Sequence, residues 1–278
     1  MTLVCGAAAI GAVPGQFTSS VNVVEVYATV TDARGEPVKG LGRDAFAVRE
    51  NGEPQAISTF VAGEFPLAVA VAIDRSFSMA GDRLAVAKSA ARIFLGELRP
   101  EDGSMLLAIG SQIDVIGELS TDRVKQFDAV SRLDAFGTTG LYDAVMRAID
   151  AIQTAKGRRA LVLLSDGSDR YSSASATDAL QRARRSDVMI YPVAIGRDRA
   201  EVFAQLATLT GGRSFHVRNP KTLPDTVRTI ARELRHQYLI GYTPTRPIEP
   251  GSGEWRSITV SVDDPNVRVR ARDGYLVQ

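Results

Sequence analysis

The sequence has very few of the side chains that zinc proteins and nucleophilic enzymes require. Its 278 residues include one cysteine, Cys5, and two histidines, His216 and His236. A single cysteine excludes an internal disulfide, and so few nitrogen and sulfur ligands argue against a zinc site. A Ser-His-Asp or Cys-His catalytic arrangement is poorly supplied for the same reason. We expect both histidines to pack in the protein or to lie at its surface.

An excess of charge of one sign is also missing. The chain has 33 basic and 32 acidic side chains, a formal net charge of +1, and no block of like charge dominates. A nucleic-acid-binding surface needs a basic stripe, so we expect no nucleic-acid partner. The glycine-rich patterns that cradle nucleotide phosphates are absent from the sequence as well.

No hydrophobic run is long enough to span a bilayer. Residues 3–13 are apolar and rich in small side chains, like the hydrophobic region of a secretory signal, but no lysine or arginine precedes them. We therefore expect residues 1–20 to be a signal-like or disordered segment, with a truncated signal peptide or a misassigned start. This places the protein in the periplasm, at the cell surface or outside the cell.

The rest of the chain divides into three parts by pattern. Residues 21–63 and 236–278 alternate apolar and polar side chains between turn sequences, which is typical of antiparallel strands. Residues 64–235 alternate apolar runs with helical patterns, which predicts an α/β domain with a doubly wound, mostly parallel sheet. Neither end has enough strands for a stable sheet. We expect both ends, the second with three strands, to form one small β-sandwich into which the α/β domain is inserted. Separate packing of the two ends is the alternative.

Three polar clusters follow predicted strands or precede a helix of the α/β part. They are "DRSFSM" from Asp74, "FGTTGLYDA" with Thr138 and Thr139, and "LLSDGSD" with Asp166. Ligand sites in open α/β sheets form beyond the carboxyl ends of the strands. Carboxylates and hydroxyls are the ligands of hard cations, so the clusters predict a site for Mg²⁺, with Mn²⁺ or Ca²⁺ as alternatives.

These motifs resemble the metal-ion-dependent adhesion site of the von Willebrand factor type A family, and the flanking sequences resemble its bacterial VWFA-related subfamily. The resemblance implies a Rossmann-like domain. Its metal-binding residues would be Asp74, Ser76, Ser78, Thr139 and Asp166. The hydroxyls would coordinate directly, and the carboxylates mostly through water or hydrogen bonds. Bacterial members usually have glycine at the position of Thr138, which leaves Thr138 as the alternative threonine ligand.

Helix capping is the other interpretation of the first cluster, because aspartate and serine are common caps. Capping does not account for Thr139 and Asp166, so we favour the metal. We expect Asp143 and Asp169 to be surface or cap residues. Phe77 is expected either to contact a partner near the ion or to pack against the protein.

The resemblance implies a divalent-cation-dependent protein-binding module, in which an aspartate or glutamate carboxylate of a protein ligand completes the metal site. Two alternatives stay open. One is a structural component of a cell-envelope assembly with a fold-stabilising ion, and the other is a metal-assisted hydrolase. The three clusters contain no histidine or lysine that could act as a general base, so we expect no enzyme activity.

Overall fold

A computed structural model describes residues 23–63, 65–249 and 251–277. The signal-like segment and Cys5 lie outside these residues. Four strands come first in the chain. They are β1 (Val24–Thr31), β2 (Phe46–Glu50), β3 (Glu53–Gln55) and β4 (Ile57–Gly63). None of the helices in the described residues is long and apolar enough to cross a membrane.

Strands and helices then alternate. The strands are β5 (Leu67–Asp74), β6 (Gly103–Ile109), β7 (Ile113–Ser120), β8 (Arg158–Ser165), β9 (Val188–Ile195) and β10 (Phe215–Val217). The helices are α1 (Asp82–Glu97), α2 (Arg123–Ser131), α3 (Leu141–Ile152), α4 (Ala176–Arg184), α5 (Glu201–Thr210) and α6 (Leu223–Arg235). The final strands are β11 (Gln237–Tyr242), β12 (Trp255–Val262), β13 (Arg268–Arg270) and β14 (Gly274–Leu276).

The central six-stranded sheet has the order β10-β9-β8-β5-β6-β7. Its pairs are parallel except for β6 with the edge strand β7. Helices α1, α2 and α6 pack on one face, and α3, α4 and α5 pack on the other. The chain leaves β5 first toward β6 and later returns to its other side with β8, so the strand order reverses at β5. Ligand sites of doubly wound sheets lie at such a reversal.

The alternation in β5 explains how the two faces differ. Val69, Val71 and Ile73 face the core that contains α1 and α6, whereas the alanines between them face the core that contains α3. Every residue of β5 is buried, as expected of a central strand covered on both faces. The small side chains let α3 approach the sheet closely, which brings the loop before α3 near the end of β5.

Both ends of the chain contribute strands to two antiparallel sheets, with the orders β13-β1-β11-β4 and β14-β12-β2-β3. Val26 is opposite Ile240 in the first sheet, and Val48 is opposite Val260 in the second. The inner faces share one apolar core. Gly63 at the end of β4 pairs with Gln237 at the start of β11, so the α/β part leaves and re-enters the sandwich at adjacent positions. The predicted fold class is confirmed.

The sequence predicts one strand at the end of the chain, and this prediction is wrong. The structure has two strands there, β13 and β14. These two strands lie in different sheets, and the chain crosses between the sheets at residues 271–273. Asp273 anchors the crossing, since its N–H donates to the Leu209 carbonyl and its own carbonyl accepts from Ile258 N–H at 2.8 Å. The C-terminal part therefore has four strands and not three.

A buried ionic cluster lies inside the sandwich. Glu50 is 3% exposed and Arg256 is 1% exposed. One Glu50 carboxylate oxygen accepts from Arg256 at 3.0 Å, and the other accepts from the hydroxyls of Tyr242 and Tyr275, both at 2.8 Å. Burial, together with the adjacent Glu50 carboxylate, raises the pKa of both tyrosines. The tyrosines therefore stay protonated and act as donors to Glu50.

Polar contacts also join the sandwich to the α/β part. The buried Arg158 of β8 donates to the Gln237 side chain at 2.9 Å, and Gln237 donates to Thr29 at 2.7 Å. Burial lowers the pKa of Arg158 to about 10. On the other side, the fully buried Glu233 of α6 accepts from Arg213 and Arg270 at 2.7 and 2.6 Å.

Replacing Gly212 by alanine should lower the free energy of unfolding by about 2–3 kcal/mol. A Cβ at Gly212 would lie 1.9 Å from the Ile190 carbonyl oxygen of β9, which is backbone and cannot rotate away. Gly96 near the end of α1 is the control, because a Cβ there has no atom within 4 Å. Gly96→Ala should stabilise the protein by about 0.5–1 kcal/mol. Urea unfolding measures both, and equal effects of the two changes would contradict this account.

Candidate metal centre

The candidate site lies where β5 and β8 end side by side. The two strands are parallel neighbours, with Ile73 opposite Leu164. Asp74 is the last residue of β5, and Asp166 directly follows β8. The loop before α3 supplies Thr138 and Thr139. The structure therefore brings the three predicted loops to one edge of the sheet, at the reversal of strand order.

Asp74 forms the buried base of the site and is fully enclosed. One carboxylate oxygen accepts from Ser76 N–H at 2.9 Å, and the other accepts from the Ser165 hydroxyl at 2.6 Å. Burial raises the pKa of Asp74, and the nearby Asp166 charge acts in the same direction, while the hydrogen bonds from Ser165 and Ser76 oppose both. The carboxylate is held in a fixed orientation in a place that disfavours its charge.

The helix-capping interpretation of this cluster is wrong. Helix α1 begins at Asp82, its N-cap is Gly81, and no side chain of the described residues caps it. Ser76 precedes a short 3₁₀ turn at Phe77–Met79 and makes no side-chain cap there either. Asp74 and Ser76 consequently have another role than starting α1.

The hydroxyls of Ser76 and Ser78 converge, with their oxygens 3.1 Å apart. Ser76 is buried and Ser78 is exposed, so the pair leads from the buried Asp74 to the surface. At this distance the two hydroxyls form a hydrogen bond with each other, and both could turn toward one hard cation.

Thr139 connects the second loop to the third. It is buried, and its carbonyl accepts from the N–H groups of Arg170 and Tyr171, both at 3.0 Å. Within the part of the chain that the structure describes, its hydroxyl has no hydrogen-bond partner. Thr138 is half-buried and donates its N–H to the Ser111 hydroxyl at 2.9 Å. The unpaired hydroxyl of Thr139 could therefore turn toward a cation in the site.

Asp166 lies at the outer side of the site. Its carboxylate accepts from Ser168 N–H at 3.0 Å, and its other oxygen lies 3.9 Å from the Arg83 guanidinium. Arg83 also donates to the Ser78 carbonyl at 3.1 Å. This arginine of α1 is a site residue that sequence reasoning missed, since nothing in its spacing connects it to the motifs.

Ser165 was also missed, although it directly precedes Asp166 in the "LLSDG" motif. It donates to Asp74 and accepts from Gly167 N–H at 3.0 Å. Asp169 acts as a cap, as predicted, whereas Asp143 is a half-buried residue in the first turn of α3. Asp169 accepts from Leu141 N–H at the start of α3, and Asp143 accepts from two backbone N–H groups of the third loop.

The described residues hold no metal site built from acidic, histidine and cysteine side chains without hydroxyls. Residues 23–63, 65–249 and 251–277 contain no group of three or more histidine, cysteine, aspartate or glutamate side chains that could hold an ion. The predicted site depends instead on hydroxyls for most of its ligands. An all-oxygen set of two carboxylates and three hydroxyls suits a hard divalent cation, so the residues present fit the ion that the motifs imply.

Comparison with known proteins identifies the fold of this part of the chain. Residues 69–168 match the family profile of the von Willebrand factor type A domain. The α/β part of the chain has the von Willebrand factor type A fold. The matched range includes all five predicted metal residues of this type A domain. A comparison with curated proteins gives no match.

Solved type A structures are similar in fold over different shares of the chain. A type A protein from Catenulispora acidiphila is 16% identical, covers 94% of this chain and 74% of its own, and has a TM-score of 0.54. The corresponding domain of a type V pili tip protein from Porphyromonas gingivalis is 12% identical, with coverages of 61% and 95% and a TM-score of 0.53. The first similarity extends beyond the type A domain into the sandwich.

A third structure, proximal thread matrix protein 1 from the mussel byssus, was solved with zinc in its metal-ion-dependent adhesion site. It is 13% identical, the coverages are 66% of this chain and 49% of that chain, and the TM-score is 0.55. At these identities the similarity shows the shared fold.

Proposed function

We propose that this type A domain carries a metal-ion-dependent adhesion site and is a divalent-cation-dependent protein-binding module. Type A domains typically mediate protein interactions. The observation that carries the proposal is the pair of converging hydroxyls of Ser76 and Ser78, 3.1 Å apart above the buried Asp74. A cation bound there would present an electrophilic position to an aspartate or glutamate carboxylate of a partner.

The protein groups have separate tasks in this proposal. Ser76, Ser78 and Thr139 would hold the ion directly. Asp74, oriented by Ser165, and Asp166 would balance its charge through water or hydrogen bonds. Because two carboxylates neutralise a divalent ion and the hydroxyls are neutral, the bound ion keeps its affinity for an additional anionic ligand.

Binding, and not catalysis, is the proposed activity. The three loops contain no histidine or lysine to act as a general base. We extend the proposal to an extracellular or envelope location, since a structural neighbour is the tip protein of a pilus.

Calorimetric titration of Mg²⁺ and Mn²⁺ into chelator-treated protein tests the site. We expect one saturable binding event, and Ser78→Ala should weaken it at least about tenfold, the loss seen when even an outer-shell partner is removed. Among the described residues, the exposed Ser78 makes its only side-chain hydrogen bond to Ser76, so the fold should tolerate the change. Ser261→Ala, at an exposed serine of β12, is the matched control.

The same titration compares the two threonines and tests for an open position on the ion. Thr139→Val should lower the affinity as Ser78→Ala does, whereas Thr138→Val should not. Sodium acetate should raise the affinity for the ion if a carboxylate occupies the open position. Equal affinities of the wild type and Ser78→Ala, or no binding with acetate present, would refute the proposal.

A further inference from the structure

Three exposed aromatic side chains surround the candidate metal site. Phe77 is 68% exposed, Phe136 is 52% exposed and Tyr171 is 60% exposed. No other large aromatic side chain in residues 23–63, 65–249 and 251–277 is exposed. Phe77 lies on the loop after β5, Phe136 on the loop before α3, and Tyr171 on the loop after β8. Each site loop therefore carries one of them.

Backbone hydrogen bonds fix the three positions relative to one another. Phe77 N–H donates to the Gly137 carbonyl at 3.0 Å, and Phe136 N–H donates to the Arg75 carbonyl at 2.7 Å. Tyr171 N–H donates to the carbonyl of Thr139. The aromatic residues thus belong to the same connected backbone as the candidate metal ligands.

Phe136 is held further by a cation–π contact. The Arg75 guanidinium lies 5.2 Å from the centre of its ring and also pairs with Asp114 at 2.6 Å. An exposed ring that is fixed in this way loses little conformational freedom when it contacts a partner. Single exposed apolar residues are ordinary, but a group of aromatic residues around one site marks an interaction surface.

Charged side chains of both signs lie near these rings, since Asp134 is exposed two residues before Phe136 and Asp114 pairs with Arg75. Arg83 lies beside Asp166 and Ser78, and Arg170 is exposed between Asp166 and Tyr171. These two arginines would attract a carboxylate of a partner, and apolar side chains next to that carboxylate would meet the aromatic rings.

We propose that Phe77, Phe136 and Tyr171 form an aromatic rim that binds a large apolar side chain next to the partner's metal-binding carboxylate. This inference rests on the proposed function. The partner it selects is an extended peptide segment in which aspartate or glutamate lies within one or two residues of an aromatic or large aliphatic side chain. Electrostatic attraction and the ion would bind the carboxylate, and the rim would decide which acidic sequence is preferred.

Two synthetic probes test the rim on the full chain in Mg²⁺. One is the blocked peptide Gly-Phe-Glu-Gly, and the other is Gly-Gly-Glu-Gly. Isothermal calorimetry should give an affinity about tenfold higher for the first peptide, which corresponds to partial burial of one aromatic side chain. The double variant Phe77→Ser/Tyr171→Ser should bind both peptides equally and keep the wild-type affinity for Mg²⁺. Val124→Ser, at an exposed valine of α2, should keep the preference.

The results separate the rim from the metal site. Equal affinities of the wild type for the two peptides in Mg²⁺ would refute the rim. A preference that Val124→Ser removes as fully as the double variant would also refute it. A preference that persists in EDTA, in a protein that binds no Mg²⁺, would support the rim and refute the proposed function.

Discussion

Replacing Glu50 by alanine is expected to lower the free energy of unfolding by about 3–5 kcal/mol, because it removes the buried counterion of Arg256 and leaves only the more exposed Glu254 at 3.3 Å. The change also deprives the Tyr242 and Tyr275 hydroxyls of their common acceptor. Chemical denaturation followed by tryptophan fluorescence is the measurement, since Trp255 is adjacent to Arg256 in β12.

The controls separate charge from packing. Glu53→Ala removes an exposed glutamate from the neighbouring strand β3 and should change stability by less than about 0.5 kcal/mol. The double variant Glu50→Met/Arg256→Met should recover most of the loss, as apolar replacement of buried ion pairs often does. A loss below about 1 kcal/mol for Glu50→Ala would show that the cluster does not hold the two sheets together.

Asp74→Asn is expected to have opposite effects on stability and on ion binding. The affinity for Mg²⁺ should fall at least about a hundredfold, because the buried charge below the ion is removed. The melting temperature of the metal-free protein should rise by about 2–4 °C, which corresponds to about 1 kcal/mol in a chain of this size. The amide keeps the shape of the carboxylate but carries no charge. It therefore removes the free-energy cost of burying a charge that no cation compensates.

The sign follows from the raised pKa of Asp74, which burial causes. A carboxyl group whose pKa is higher in the folded than in the unfolded state destabilises the fold when it is ionised, and this penalty disappears as the pH falls through the folded-state pKa. The stability difference between the metal-free variant and wild type should therefore shrink on acidification. Differential scanning fluorimetry with and without Mg²⁺ measures both effects.

The buried Asp102 provides the control for this pair of effects. It accepts from the N–H groups of Leu67 and Arg99 at the opposite end of the sheet. Asp102→Asn should lower the melting temperature, because one backbone donor loses its acceptor, and should leave the Mg²⁺-induced shift intact. If Asp74→Asn binds Mg²⁺ with wild-type affinity, the Asp74 carboxylate does not contribute to the metal site.

The sequence predicts the α/β part well because its signals are local. The run from Leu67 to Ile73 reads as a central strand, and its final Asp74 starts a motif whose spacing already indicates a cation site. Ser165 could have been found too, since it precedes Asp166 in the same motif. These features depend on short stretches in which one pattern dominates.

Other features depend on contacts that spacing does not record. Arg83 reaches Asp166 only because the first turn of α1 lies beside the end of β8. The division of the last strand at Ala271 follows from the crossing between two sheets, and the only local mark of it is the turn dipeptide Asp273-Gly274. The rings of Phe77, Phe136 and Tyr171 are far apart in the sequence, and only the backbone hydrogen bonds between the loops bring them to one site.

The strand pairing of the sandwich also sets an order of events during synthesis. The strands that pair with β1 are β11 and β13, and β2 needs β12 on one side. These partners emerge from the ribosome after the whole type A domain, so the early strands must wait while that domain folds. During this interval β4, which carries no charged side chain, is open to pairing with other chains. The need for chaperones and the fraction of chains lost to aggregation should therefore depend on how fast β11 to β14 are synthesised. They should depend much less on the stability of the type A domain.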